Sequence, residues 1–440
     1  MGVTFEYDNQ TFDDLQILNE NQEASVFSLF NNTLTEGGSD YLKHLIKSPI
    51  TDSVELGKRL KLIRFFINNP VKLSISSKQL KYIEKYINLN VTVLKSNPFD
   101  LLYLRFTEWL SPSNDYYLLK TGCENLIQVL HELNKKLSFD VIPKELLENT
   151  QIILELIENL KHELDSKSEI SWIKTTKLDR IFRIKYSKKL KSFLEEIYFI
   201  DAYTSIALTA SKNSFALPEY EHSSKPILFA KELKHPLLKN AVSNDIEISL
   251  KENMCFLTGP NMAGKSTFLK SIGICIFLAH LGFPVPAKEF KTSIYSGIIT
   301  TINLSDNLNI GYSHFYSEVQ RVKEAARTLA DGKKMFVIFD ELFRGTNVKD
   351  AFEASTEIIK GFAKIENCTF FMSTHIVEIA EEIKNKSTIS FKYFNSDLDD
   401  NTLKYSYKLK KGVSSQRLGM HILKKEGVFD LLKSITPAKK

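Results

Sequence analysis

The run Leu257-Thr258-Gly259-Pro260-Asn261-Met262-Ala263-Gly264-Lys265-Ser266-Thr267 leaves few folds open to this chain. Two glycines with four residues between them, followed by Lys and Ser, match the phosphate-binding loop that joins a buried strand to a helix. The flanks supply that context. Met254 to Leu257 reads as a buried strand, and Phe268 to Phe277 carries apolar residues at helical spacing. Gly259 and Gly264 let the backbone turn tightly, so that several N–H groups converge on one anion. The following helix adds the partial positive charge of its N-terminus. In such a loop the stretch from Gly259 through Pro260, Asn261, Met262, Ala263 and Gly264 to Thr267 wraps the phosphates. Lys265 reaches the β- and γ-phosphates and the Ser266 hydroxyl sits on Mg²⁺. A glycine-containing surface loop is the plainer alternative.

Two further strand ends argue against that alternative. Met335-Phe336-Val337-Ile338-Phe339 is wholly apolar and ends in Asp340-Glu341, as expected of a strand buried on both faces of a parallel sheet. Carboxylates emerging there stand where open α/β sheets bind ligands. Asp340 is expected to hold Mg²⁺, directly or through water, and Glu341 to polarise the water that attacks the γ-phosphate. Two adjacent acids can also be solvated loop residues, but downstream of a phosphate loop the chemical reading prevails. Thr369 to His375 is another apolar strand, ending in Thr374-His375. A lone histidine is commonly structural. At the end of this strand His375 is well sited to hydrogen-bond the γ-phosphate or the water.

The chain's 440 residues allow two or three domains with sizeable cores. Apolar residues at 43% and charged residues at 25% suit a soluble globular protein. A net charge of +5 permits nucleic-acid binding without arguing for it. Cys123, Cys255, Cys275 and Cys368 form no CxxC pair, so reduced thiols of a cytoplasmic protein are expected, with neither a zinc site nor a disulfide frame. The start, Met1-Gly2-Val3-Thr4-Phe5-Glu6, lacks the basic and apolar regions of a signal peptide, and Glu6 spoils a myristoylation pattern. Ile272 to Val285 is the longest apolar stretch and is too short to span a bilayer.

Residues 1–210 are Leu-, Ile-, Lys- and Glu-rich with almost no strand signal, and read as an all-α domain. Pro143 opens a long amphipathic helix expected to run towards Leu164, and Lys177 to Leu208 gives a second. Helices of that length suit levers or a bundle. Residues 211–225 read as a linker, and 226–440 as an α/β P-loop NTPase domain with a largely parallel sheet. The end of the chain adds a strand pair around Lys404 to Leu409 and a closing helix. Within the α-helical part, Lys174, Lys177, Arg180, Arg183, Lys185, Lys188, Lys189 and Lys191 are opposed only by Asp179. Such a run is usually a solvated helix face; it can also line a DNA backbone.

The loop Thr258 to Thr267, with Pro260-Asn261-Met262 inside it, resembles that of the MutS family of DNA mismatch repair ATPases. The resemblance extends to His235-Pro236, Asn244-Asp245, Phe283-Pro284-Val285-Pro286-Ala287 and Asp306. It continues through Asp340 to Thr346, Ser373-Thr374-His375, and Gly412 to Gly419. Less sharply, Leu15 to Leu18, Thr33 to Ser39, Pro49 and Arg59 are similar to the start of the family's helical core and lever domain. The resemblance implies an ABC-type ATPase head preceded by levers. It implies ATP hydrolysis with Mg²⁺ in a dimer, each nucleotide covered by the partner's signature serine, here Ser313. It also implies DNA as a partner, with possible repair-protein partners and no membrane.

The departures shape the expectation. Only about a dozen residues precede the core, so a mismatch-reading domain is expected to be absent. The span from 100 to 210 looks short for a full DNA clamp. Ala241 replaces an aromatic that helps sandwich the adenine, leaving Tyr407 for the other face. His314 and Phe343 stand where Thr and Gly are usual. The function expected is an ATP-driven, DNA-binding machine of mismatch repair or a related repair or recombination process. The alternatives are a nucleotide-gated dimer that grips protein partners without touching DNA, and, more weakly, the ATPase subunit of a membrane transporter.

Overall fold

A computed structural model describes residues 4–18, 24–70, 75–89, 113–136, 143–161, 171–302, 314–343, 347–399, 402–414 and 427–435, with residues 99 and 106. The chain divides into two compact units. One comprises Met1–Leu29, Pro49–Leu56 and Asn213–Lys440; the other comprises Phe30–Ser48 and Gly57–Lys212. This differs at both boundaries from a helical domain over 1–210 and a linker over 211–225. The first residues belong with the sheets, and the expected linker contains a strand.

Among the described residues ten strands form two sheets: β1 (Glu219–Glu221), β2 (Leu228–Leu233), β3 (Asn244–Ile248), β4 (Met254–Thr258), β5 (Glu289–Ser293), β6 (Gly297–Thr301), β7 (Met335–Asp340), β8 (Thr369–Thr374), β9 (Ile389–Asp399) and β10 (Thr402–Lys411). The larger sheet has the order β10-β9-β4-β8-β7-β6 and is parallel except for the β9–β10 hairpin. Every residue of β4, β7 and β8 is buried, the consequence of apolar runs that have no solvent face to offer. The helix Lys265–His280, apolar almost all round, is buried along nearly its whole length. The smaller sheet has the order β1-β5-β2-β3. It draws in the expected linker through β1 and through an Ala216–Val285 bridge.

The outer edge of β6 is covered by the N-terminal segment. Glu6 N donates to Ser296 O (2.8 Å) and Ile298 N donates to Glu6 O (2.9 Å), so the edge has paired N–H and C=O groups where it would otherwise invite aggregation. Gly297 makes this approach possible, because a Cβ there would lie 2.3 Å from Glu6 O. The short helix Asn9–Asp14 follows. Its buried Asp14 carboxylate accepts from Thr300 Oγ1 (2.8 Å) and Ile302 N (2.9 Å), and Thr11 Oγ1 accepts from Thr300 N (3.0 Å). Arg321, also buried, pairs with Asp8 and donates to Thr300 O at 2.9 Å. Sequence periodicity could not reveal this strap, because six helical residues carry too little pattern.

The described residues of the other unit form helices. The single helix expected from Pro143 to Leu164 is instead two, Lys144–Glu148 and Gln151–Asn159. Asn149 and Thr150 turn their side chains back onto Glu145 O (2.7 Å) and Leu146 O (2.8 Å). The Glu196 carboxylate then caps the restart, accepting from Ile152 N (2.9 Å) and Ile153 N (2.8 Å). The second expected helix is interrupted by a π-turn, Ile181–Lys185, between Trp172–Arg180 and Ser187–Asn213. There the buried Asp179 carboxylate is held by Arg183 Nε (2.6 Å) and Tyr86 Oη (2.9 Å). Within the basic run Arg183 thus pairs with Asp179, and Lys189 pairs with Glu155. In the same unit Asp201 accepts from Leu34 N, Thr35 N and Thr35 Oγ1, while Thr35 Oγ1 caps the helix Glu36–Ile46 by accepting from Gly38 N. The four cysteines are free and buried. Among the described residues no helix is long and apolar enough to cross a membrane.

Candidate functional site

Three parallel strands, β4, β8 and β7, lie side by side and end in the residues the sequence singles out. β4 passes into the glycine turn. Gly259 (φ 147°) and Gly264 (φ 104°) take backbone conformations that side chains resist, and Met262 (φ 67°) joins them. A Cβ on Gly259 would meet Phe394 O at 2.8 Å. Ala263 is fully buried under the turn, with its N–H on Pro260 O (3.3 Å), while Met262 is 79% exposed. Gly264 is also the N-cap of Lys265–His280 and has no side chain to offer the first-turn amides. Those amides, including the ones of Ser266 and Thr267, therefore face the cleft as donors for an anion.

Lys265 is buried at the start of that helix. Its Nζ donates to Gly259 O (2.8 Å) and Pro260 O (3.2 Å) and lies 3.1 Å from Glu341 Oε1. Glu341 is buried too, with φ +53°, so the chain turns sharply as it leaves β7. Ser373, the penultimate residue of β8, makes that turn possible. Its hydroxyl donates to Asp340, while Glu341 N donates to Ser373 O (3.1 Å) and Ser373 Oγ (3.2 Å). His375, just past β8, is 53% exposed and brings Nδ1 to 3.7 Å from Glu341 Oε2. Thus Lys265, Asp340, Glu341 and His375 come together from three strand ends. Ser313 lies outside the described residues.

A cavity of about 600 Å³ reaches Lys265 and Glu341 of this cluster; Asp340 and His375 are not among its lining residues. Asn261, Met262, Gly264 to Phe268 and Glu341 line one part of it; His235, Leu238, Ala241, Val242, Asn244 and Tyr407 line the other. His235 is buried, and desolvation aided by the nearby Lys270 pushes its imidazole down to about 4, so it is neutral near pH 7. Its Nδ1 accepts from Leu237 N at 3.3 Å. Tyr407 has φ +53° and projects from a register shift in β10. Phe343, in the place where the resemblance leads one to expect Gly, has φ +63° and is buried against Phe315, ring centroids 5.4 Å apart. The packing of its ring offsets the strain of a backbone position that glycine would occupy at no steric cost.

Residues 10–331, well over half of the chain, match the family model of MutS domain III. The chain belongs to the MutS family. Residues 255–435 match MutS domain V, a P-loop ATPase domain, which covers the glycine turn and all three strand ends. Among individual relatives, the chain is 28% identical over 285 residues to DNA mismatch repair protein MSH3 of Candida glabrata, covering 62% of this chain and 27% of that protein. It is 24% identical over 516 residues to DNA mismatch repair protein MutS of Thermotoga maritima, covering 96% and 64%. It is 30% identical over 247 residues to DNA mismatch repair protein spellchecker 1 of Drosophila melanogaster, covering 54% and 26%. The chain thus spans less than two thirds of the length of each.

The domain V match spans the loop, the acids and the histidine that the sequence exposes. Ser373 and Asn244, which the resemblance also takes in, owe their contacts to the geometry. Each works across strands, one by clamping the two acids and the other by holding β10. No local pattern reveals those partners, because Ser373 and Asp340 are 33 residues apart and Asn244 and Tyr407 are 163 apart.

Proposed function

We propose that this chain binds ATP with Mg²⁺ in the cavity over β4, β8 and β7 and hydrolyses it. The observation that carries the reading is the buried meeting of Lys265 and Glu341 at 3.1 Å, at the start of a helix whose N-cap, Gly264, has no side chain to cap it. A triphosphate offers anionic oxygens in place of the loop carbonyls that Lys265 Nζ now contacts. The residues also fit a hard cation: Ser266 supplies a hydroxyl and Asp340 a carboxylate, oxygen donors of the kind Mg²⁺ takes together with phosphate. Mg²⁺, when bound there, neutralises phosphate charge.

The chain's own groups divide the remaining work. Lys265 and the amides following Gly264 donate to the phosphates and stabilise charge as it develops. Glu341 orients the attacking water and draws on its proton, and His375 supports the water or the γ-phosphate from beside Glu341. Ser373 fixes the direction of both acids. Ser313 of a second copy closes over the nucleotide, so two ABC-type heads act as a homodimer. The preceding helices serve as the core and levers, moved on DNA by this cycle in mismatch repair or a related repair or recombination process in the cytoplasm. The relatives' names support the DNA partner.

The test is Glu341→Gln. ATP binding should persist and turnover should fall by about 10²- to 10⁴-fold, with a dimer retained in ATP. Unimpaired hydrolysis by that variant would remove Glu341 from the mechanism. The engagement of Arg183 and Lys189 by acids of their own unit favours a second reading, in which the levers grip protein partners. Filter binding to duplex, branched and mismatched DNA at two salt concentrations separates the two. Salt-sensitive binding supports DNA, and none at low salt with an ATP analogue supports protein partners.

A further inference from the structure

β10 does not run evenly along β9. Its register shifts between Tyr405 and Leu409, and Tyr407 stands inside the shift in a left-handed conformation. A bulge of this kind removes ladder bonds, so backbone groups there need other partners. One side chain supplies two of them. Asn244 Nδ2 donates to Tyr407 O at 3.0 Å, and Leu409 N donates to Asn244 Oδ1 at 2.7 Å. Asn244 opens β3 in the other sheet and is 8% exposed. A carboxamide offers a donor and an acceptor at once, which neither a carboxylate nor an aliphatic side chain of that size can do. Lys408 adds a second tie, Nζ to Ser243 O at 2.6 Å. The outcome is that the Tyr407 ring stands over the glycine turn. A Cβ on Gly264 would come within 3.2 Å of Tyr407 Cδ1, so the ring lies close against the phosphate loop.

We infer that Asn244 is a positioning residue: it locks the β10 bulge so that Tyr407 forms the platform for the planar base of the nucleotide. The inference rests on the ATP reading of this cavity and adds where base affinity comes from. Ala241 lines the same cavity and carries no ring, and of the aromatic residues lining it Phe268 and Phe394 are buried while Tyr407 is 42% exposed, so stacking falls on Tyr407 and on the staple beneath it.

Equilibrium binding of ATP and of inorganic tripolyphosphate, which has no base, tests this in the full chain. Asn244→Ala should weaken ATP by about five- to ten-fold and leave tripolyphosphate unchanged. Tyr407→Ala should do the same, and the double variant should lose no more than Tyr407→Ala alone. Asn244→Asp, which keeps the acceptor for Leu409 N but sets a carboxylate against Tyr407 O, should show the same ATP-selective loss. It serves as the readout if the alanine variant does not fold. Equal losses for both ligands, no loss, or multiplying losses in the double variant would overturn the role of Asn244. Failure of the wild-type chain to bind either ligand would instead strike the nucleotide reading itself.

Discussion

Ser373 shows how a single hydroxyl sets the direction of two acids. It donates to Asp340 and accepts from Glu341 N, so the sharp turn after β7 is tied to β8. Ser373→Ala would leave a buried carboxylate oxygen and weaken the hold on Glu341 N, at a cost of about 1–3 kcal/mol in stability. On the proposed reading the acids serve the reacting end of the ligand and not its base, so turnover should fall further than ATP affinity. Parallel measurement of kcat and of equilibrium ATP binding checks this, and an equal fall in both would argue for general loosening. Much at this scale was legible: Gly259 to Thr267, Asp340, Glu341 and His375 are named by spacing alone. Ser373 and Asn244 fall within the resembling motifs, but what they hold was not legible, because their partners are distant in sequence.

The strap formed by the first residues is the element that most alters the picture drawn from sequence. Thr11 and Asp14 do for the end of β6 what a neighbouring strand would do, by satisfying Thr300 and Ile302. Asp14→Ala should therefore destabilise the sheet-bearing unit by about 2–3 kcal/mol, since it strands a hydroxyl and an amide in a buried place. Asp14→Asn should recover part of the loss. Urea midpoints compared between the variants and the wild type decide the matter, and an unchanged midpoint for Asp14→Ala would show the strap to be ornamental. The central strands were readable because β4, β7 and β8 are apolar through their middles. The break at Asn149 and Thr150 was not, because Glu196, which caps the restart, lies far along the chain.

On the scale of the whole molecule, buried histidines make stability depend on pH. His280 is fully buried, Nδ1 against Ile276 O (2.8 Å) and Nε2 accepting from Tyr295 N (2.9 Å), an arrangement that suits the neutral ring. Desolvation pushes its imidazole down to about 4. The unfolded chain takes up a proton near pH 6.5 and the folded chain does not, so the contribution is complete above pH 6.5 and is lost as pH falls towards 4. It amounts to on the order of 3 kcal/mol, with His235 acting in the same direction. Urea midpoints from pH 7.5 to 4.5 should fall more steeply for the wild type than for His280→Gln, and parallel profiles would refute the assignment. MutS membership fits the motif order along the chain, while the division into units depends on long-range packing that no local pattern encodes. The central claim is that Lys265 and Glu341 meet on a magnesium-bound triphosphate, and calorimetric titration of ATP into the purified chain tests it most directly. The account predicts saturable binding that weakens when magnesium is chelated and disappears in Lys265→Ala; no binding by the wild type, or undiminished binding by Lys265→Ala, would contradict it.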